Sequence, residues 1–200
     1  MAARSSEQTK NRIYRAALEE FARHGIAGAR VDRIAKAAQA NKQAIYLYFG
    51  DKEKLFALVL GQVLEELAEA VVPPSGNDDV AAYVERLFAY HREHPAVLRL
   101  LLWEALEFST AEVPDEESRT AHYQEKAQAI GAIGGSGAAG PLDPQALLMI
   151  FTGLVGWPLA VPQVTRMIMG DDGEALERTR AAVVAAAQTI ADAQRGADGE

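Results

Sequence analysis

The sequence predicts an all-α fold of about nine or ten helices, and three observations carry that expectation. Apolar residues recur at helical spacing almost throughout, no sustained period-2 alternation appears, and residues suited to caps and breaks separate the periodic segments. Ser5 or Ser6 is placed to cap a first helix. Its stripe of Ile13, Ala16, Ala17 and Phe21 lies on one face at 3.6 residues per turn. Gly25 ends that helix, since glycine tolerates the left-handed C′ conformation. Val31 to Ala38 forms a short second helix with Val31, Ile34, Ala35 and Ala38 on one side. Asn41 caps a third helix, Gly50 interrupts it, and Asp51 caps a fourth running from Lys52 to Val72.

"PPSGND" (73–78) is a turn and a domain seam. Helices follow over 80–91 and 95–108, the second opening on Pro95 in its favoured first-turn position. A loop containing "EVPDEES" precedes a helix over 120–130, and "GAIGGSGAAGP" (131–141) is flexible or tightly turned. Asp143 opens a helix to Trp157, and a proline-bounded helix then ends near Met169. A long last helix spans 173–194, and "RGADGE" is a fraying tail.

An apolar fraction of 49% and a charged fraction of 24% over 200 residues are ordinary for a soluble globular chain. The absence of cysteine excludes disulfides, thiolate metal sites and a cysteine nucleophile. "MAARSSEQTKNR" has no apolar h-region, so no signal peptide is expected. Residues 144–165 carry no formal charge over 22 positions, long enough to span a bilayer. Gln145, Gln163, Pro158 and Pro162 favour a buried interface helix, and no membrane is expected.

The charge is uneven. Residues 1–55 hold 11 Lys/Arg against 6 Asp/Glu, a net of +5 within a chain of net −8, so the remainder is strongly acidic. A polyanion contact confined to the N-terminal quarter fits that asymmetry. Helix two, a break of about three residues, and the capped third helix have helix-turn-helix spacing, with residues 6–24 as the supporting helix. In this geometry the second helix of the pair enters the DNA major groove, its first turn nearest the base edges. "NKQAIYLYF" (41–49) suits that task. Lys42 can reach guanine or phosphate and Gln43 can pair with adenine, while Ile45 and Phe49 form the inward stripe. Tyr46 and Tyr48 can meet backbone or base edges; packing of Tyr46 against helix one is the alternative. Lys52 opens the fourth helix with a charge suited to phosphate.

The string "IYRAALEEFARHGIAGARVDRIAKAAQANKQAIYLYFGDKEKLF" (13–56) resembles the N-terminal domain of TetR-family transcriptional regulators, most clearly in "AALEEFARHG", "VDRIAKAA", "IYLYF" and "DKEKLF". The resemblance implies a homodimer with a variable helical C-terminal domain for dimerisation and ligand binding, usually a repressor relieved by a small molecule. It places base reading at Lys42, Gln43, Ala44, Tyr46 and Leu47, and phosphate contact at Tyr48 and Lys52. Ala44 and Leu47 have no hydrogen-bonding side chain, so they can touch only thymine methyls. Two departures stand out. Gln39-Ala40 replaces the family's usual Gly-Val in the turn, and Ala29-Arg30 replaces the usual Thr or Ser ahead of helix two. Arg30 then takes phosphate by charge.

The expected division is a helix-turn-helix domain at 1–50 and a helical regulatory and dimerisation domain at 51–200, with 51–72 as a connecting helix. Phe88, Trp103, Phe108, Phe151 and Trp157, with Met149, are either walls of a ligand pocket or plain core. The helices near 143–157 and 173–194 suit a dimer bundle, the latter through its alanines.

Other motifs carry less. "GSGAAG" (135–140) lacks the strand–helix context that gives a glycine-rich phosphate loop its meaning. His91 and His94 lack a third ligand, so no metal and no cofactor are expected, and their place at a helix end suits the dipole. Arg4 and Lys10 belong to a DNA-tracking arm or to a loose tail.

No paired carboxylates or Ser-His-Asp set can be assembled, so an enzyme is not expected. The reading is a cytoplasmic homodimer that binds a palindromic operator and releases it on binding an unidentified small-molecule effector. The alternative is a DNA-binding regulator without small-molecule control, acting as an activator or gated by a partner protein.

Overall fold

The computed structural model describes residues 2–74, 80–132 and 142–196. Among the described residues there are ten helices and no strand: α1 (Ala2–Gly28), α2 (Val31–Ala38), α3 (Lys42–Phe49), α4 (Lys52–Ala70), α5 (Val80–Glu93), α6 (Pro95–Phe108), α7 (Glu116–Gly131), α8 (Pro144–Ala160), α9 (Pro162–Met169) and α10 (Ala175–Gly196). Most of "PPSGND" and all of "GSGAAG" lie outside the described residues. The chain forms two compact units, one of Met1–Glu66 with Ala96–Glu116, the other of Leu67–Pro95 with Glu117–Glu200.

In the first unit, Ile13, Ala17 and Phe21 of α1 are buried against one another's neighbours on α2 to α4, with Ile34, Ile45, Leu55, Phe56 and Val59 completing the core. Phe21 and Phe56 meet edge to face, ring centroids 5.3 Å apart. The Tyr14 hydroxyl donates to Glu66 Oε1 at 3.2 Å. α1 begins at Ala2, so Ser5 and Ser6 are not its caps; nothing in residues 2–6 breaks a helix, and serine inside one costs little.

Gly25 does interrupt α1, at φ 68 and ψ −178, and one more turn follows before Gly28. The interruption frees the Ala22 carbonyl, which accepts from Arg99 Nε at 2.7 Å and from the Trp103 indole N–H at 3.3 Å. A Cβ at position 25 would stand 2.7 Å from the Trp103 ring. Trp103 is thus half-buried, with its ring beside Gly25 of α1.

The second unit packs α5 against α10 and α8, and α10 against α8 and α9. Phe88, Phe151 and Val155 are fully buried in its core. Arg92 pairs with Glu177 at 3.3 Å, and Arg180 with Glu85, across α5 and α10. Gln194, itself buried, accepts from Leu142 N–H at 3.0 Å and donates to Leu142 O at 2.9 Å, fixing the approach to α8. Asp143 caps α8 through Ala146 N–H at 2.7 Å.

Several further boundaries differ from the sequence reading, α5 and α10 by two residues at an end. α7 starts at Glu116, earlier than expected, because acids that read as loop suit a helix N-terminus; Glu116 Oε2 accepts Val113 N–H at 2.9 Å. α4 stops at Ala70 instead of Val72. α8 runs through Pro158 to Ala160, since a proline so near the C-terminus removes a bond from the last turn only. No single helix among the described residues is long and apolar enough to cross a membrane. Only α8 and α9 together reach that length, and they are bent by 87°.

Trp157, expected as a pocket wall, is 62% exposed. Two residues beyond Val155, it lies on the side of α8 away from the face that Phe151 and Val155 bury.

Gly25→Ala is expected to cost about 2–4 kcal/mol, from a positive φ on an L-residue plus overpacking against the indole. Urea unfolding measures it. Placing the change in a Trp103→Ala background should recover the overpacking part, and a fully additive pair would refute the close approach.

Candidate nucleic-acid interface

α2 and α3 are only eight residues each, too short to be stable in isolation, so their neighbours must hold them. The N-terminus of α2 has no side-chain cap of its own; Arg30 occupies the N-cap. Glu20 of α1 makes up the deficit. Its Oε1 accepts Arg30 N–H at 2.9 Å and Arg33 Nε at 2.7 Å, and His24 stands 3.9 Å from Oε2. Burial pushes the Glu20 pKa up, but the Arg33 and Arg30 hydrogen bonds and the charges of Arg33 and His24 outweigh it, leaving the carboxyl below its ordinary value. At the other end, Arg12 Nε donates to Ala38 O at 3.0 Å. One helix therefore grips both ends of another.

The turn between α2 and α3 closes by the Schellman pattern: Gln39 N–H to Lys36 O at 3.2 Å and Ala40 N–H to Ala35 O at 3.0 Å. Gln39 is left-handed, at φ 50 and ψ 43, which costs a non-glycine residue about 1 kcal/mol. The departure from glycine is accommodated by strain, with the turn geometry intact. Asn41 caps α3 by accepting Gln43 N–H at 2.9 Å, and Asp51 caps α4 through Lys54 N–H at 2.7 Å.

On α3 only Ile45 is fully buried, with Ala44 and Phe49 half-buried. Lys42, Gln43, Tyr46, Leu47 and Tyr48 are all exposed, Leu47 at 81%. An exposed, nearly bare leucine on a short helix gains nothing for folding. Tyr46 is 45% exposed. Tyr48 is tied to α1: its phenol oxygen accepts from Ser6 Oγ at 3.3 Å, and the Lys10 ammonium stands 5.7 Å from its ring centroid. Arg30 is exposed at the start of α2, and Lys52 is half-buried at the start of α4. Lys54 pairs with Asp51 at 3.4 Å, in keeping with a solvated charge.

Lys42 is not idle. Its ammonium meets Asp32 Oδ1 of α2 at 2.8 Å, and that hydrogen bond raises its pKa. Sequence reasoning missed Asp32, Glu20 and Arg12. Their roles are contacts between elements, and no local periodicity or motif flags them.

The aromatic residues expected around a ligand divide between units. Phe88 and Phe151 are buried core of the second, Trp103 and Phe108 are half-buried in the first, and Trp157 is exposed. Among the described residues no three His, Cys, Asp or Glu side chains are arranged to hold a metal ion.

A capped, solvent-facing helix held by a supporting pair defines a helix-turn-helix DNA-binding protein. Comparison with known proteins gives the family. The model of bacterial regulatory proteins of the tetR family matches residues 13–59, and that of the tetracyclin repressor-like C-terminal domain matches 79–189. The HTH-type transcriptional repressor SCO4008 of Streptomyces coelicolor is 44% identical over 193 residues, covering 96% of this chain and 100% of that protein. The regulator RutR of Escherichia coli K12 is 29% identical over 171 residues, 80% of this chain and 79% of its own. The crystal structure of SCO4942 from Streptomyces coelicolor superposes with a TM-score of 0.70 at 32% identity, over 91% of this chain and 97% of that one. The chain belongs to the TetR family of transcriptional regulators, which are DNA-binding factors and not enzymes.

Asp32→Asn should tighten DNA binding roughly two- to tenfold at low salt, by freeing Lys42 and removing an anion from the DNA-facing side. The gain should shrink as salt rises. Fluorescence anisotropy on one duplex at two ionic strengths measures it, and weaker binding of the variant would show that Asp32 chiefly orients Lys42.

Proposed function

We propose that this chain is a homodimeric, cytoplasmic repressor that binds a palindromic operator and leaves it when a small molecule occupies its C-terminal helical part. The observation that carries the reading is α3, whose N-cap is satisfied within the turn and whose Lys42, Gln43, Tyr46, Leu47 and Tyr48 are left outside the core. Within this proposal Lys42, Gln43, Ala44, Tyr46 and Leu47 read bases, and Arg30, Tyr48 and Lys52 hold phosphates. Residues 1–50 form the DNA-binding part, 51–72 a connecting helix, and 51–200 the regulatory and dimerising part. The name of SCO4008 as a repressor favours repression over activation.

Dimerisation is supported by apolar surface that the single chain leaves uncovered. Met149 and Trp157 on α8 and Met167 and Ile168 on α9 are exposed, the last two at 74% and 75%. The alanine-rich α10 turns Val183, Ala187 and Ala191 into its own unit's core, so α8 and α9 supply the larger share of free apolar area. Two recognition helices about 34 Å apart then read half-sites one DNA turn apart. An effector with different affinities for the spanning and non-spanning states shifts their balance; a coupling of ~1–3 kcal/mol changes DNA affinity 5- to 150-fold.

Selection of bound duplexes from a random pool tests the core of the reading. A palindromic winner is expected, and no enrichment from a folded dimer refutes it. On that winner, Lys52→Ala should weaken all sequences alike and lower the salt slope by about one, whereas Gln43→Ala should change which base is preferred, by about 1–3 kcal/mol at one position. Equal loss on every sequence for Gln43→Ala would sink its base-reading role. Trp157→Glu should raise the dimer dissociation constant at least about thirtyfold in sedimentation experiments, as for a central aromatic anchor. An unchanged constant would move the interface away from α8.

A further inference from the structure

α7 is built unlike the helices around it. Ala127 and Ile130 are buried, as a core stripe requires, yet the positions one and two turns earlier on that face are His122 and Lys126, with Arg119 beyond. Lys126 is half-buried and forms no ion pair with a carboxylate among the described residues. Glu125 is the one acid that acts on His122.

The α5 side of the same unit carries a second irregularity. His91 is 6% exposed, and its Nδ1 is buried with no hydrogen-bond partner. Leaving such a group unsatisfied is costly, and in native proteins it marks a missing ligand or water. His94 follows one turn on, its ring centroid 4.4 Å from that of Tyr90, which in turn is 6.1 Å from His91. Burial first, then the charges of Lys126 and His94, push the His91 pKa down to about 4, so the ring is neutral at physiological pH. Burial likewise lowers the Lys126 pKa. The groups that act on His91 are thus of one sign, and no anion among them offsets the ammonium.

We propose that His91 on α5 and Lys126 on α7 form the subsite that receives the carboxylate of a small organic anion, with Lys126 pairing its charge and His91 Nδ1–H donating to it. The anion removes both defects at once: it gives the ammonium a counter-charge and the imidazole a partner. Leu87 and Phe88, one turn before His91, and Ile130, one turn after Lys126, are buried apolar neighbours on the same faces. They suit an organic body in preference to inorganic phosphate. The inference rests on the ligand-controlled reading and names the class of effector.

Benzoate and its neutral isostere benzamide separate the possibilities when titrated into full-length protein carrying ¹⁵N-labelled histidine. The His91 ring resonance, assigned by its loss in His91→Gln, should shift saturably with benzoate and not with benzamide. In Lys126→Met the benzoate affinity should fall about tenfold or more, while the thermal midpoint holds or rises, because an unpaired buried charge is gone. Equal response to benzamide, an unchanged affinity in Lys126→Met, or no shift of His91 overturns the subsite; the last outcome leaves a buried water as its partner. DNA release is read separately. A neutral effector that frees DNA equally from wild type and Lys126→Met keeps the ligand-controlled reading and discards the anion site. Saturation by benzoate with unchanged DNA affinity keeps the site and discards its role as the effector subsite.

Discussion

The helix-turn-helix depends on α1 holding both ends of α2. An eight-residue helix has too few internal bonds to offset its own nucleation, so α2 exists where it does because Glu20 satisfies its first turn and Arg12 its last carbonyl. The buried stripe of Val31, Ile34, Ala35 and Ala38 sets which face α2 presents to α1, while the two polar contacts fix it lengthwise. Everything beyond follows from that placement. The Schellman turn leaves α2 in one direction, the Asn41 cap starts α3 without help from outside, and the only side chain α3 must bury fully is Ile45.

The same economy explains the charge pattern. The first 55 residues are basic in total, yet several of their acids are committed: Glu20 to α2, Asp51 to the α4 cap, Asp32 to Lys42. Each of these three carboxylates meets an N–H or a cation of its own region. The net of +5 over these residues is the excess of 11 Lys/Arg over 6 Asp/Glu, which pairing does not change.

Sequence legibility follows the range of the interaction. Helix existence, the α2 core stripe, the Asn41 and Asp51 caps and the span of α3 were readable because each is written within a few residues. Trp103 and Trp157 were not. Both are large aromatics on apolar helices, and only the fold shows that one lies against Gly25 while the other faces outward. Glu20 and Arg12 were equally hidden, since a carboxylate on a helix looks solvated until its partner ten residues on is brought beside it. The early start of α7 was misread for a related reason: a run of acids resembles loop composition, but a helix N-terminus is where acids stabilise most.

What remains is a set of positions where local preference and observed place conflict, and the conflicts are not scattered. Gln39 is left-handed where glycine would be relaxed, Leu47 is bare on the surface, His91 is buried without a partner at Nδ1, and Lys126 lies on a face that continues into Ala127 and Ile130. None improves the stability of the folded chain. Two sit on the helix-turn-helix and two on α5 and α7 of the second unit. A fold whose other parts obey capping, periodicity and burial rules gives such exceptions meaning, because selection for stability alone would remove them. In the proposed reading Leu47 belongs to a groove-reading helix and Gln39 to the turn that aims it. By the same physical logic the second pair calls for a ligand that brings a negative charge and a hydrogen-bond acceptor together.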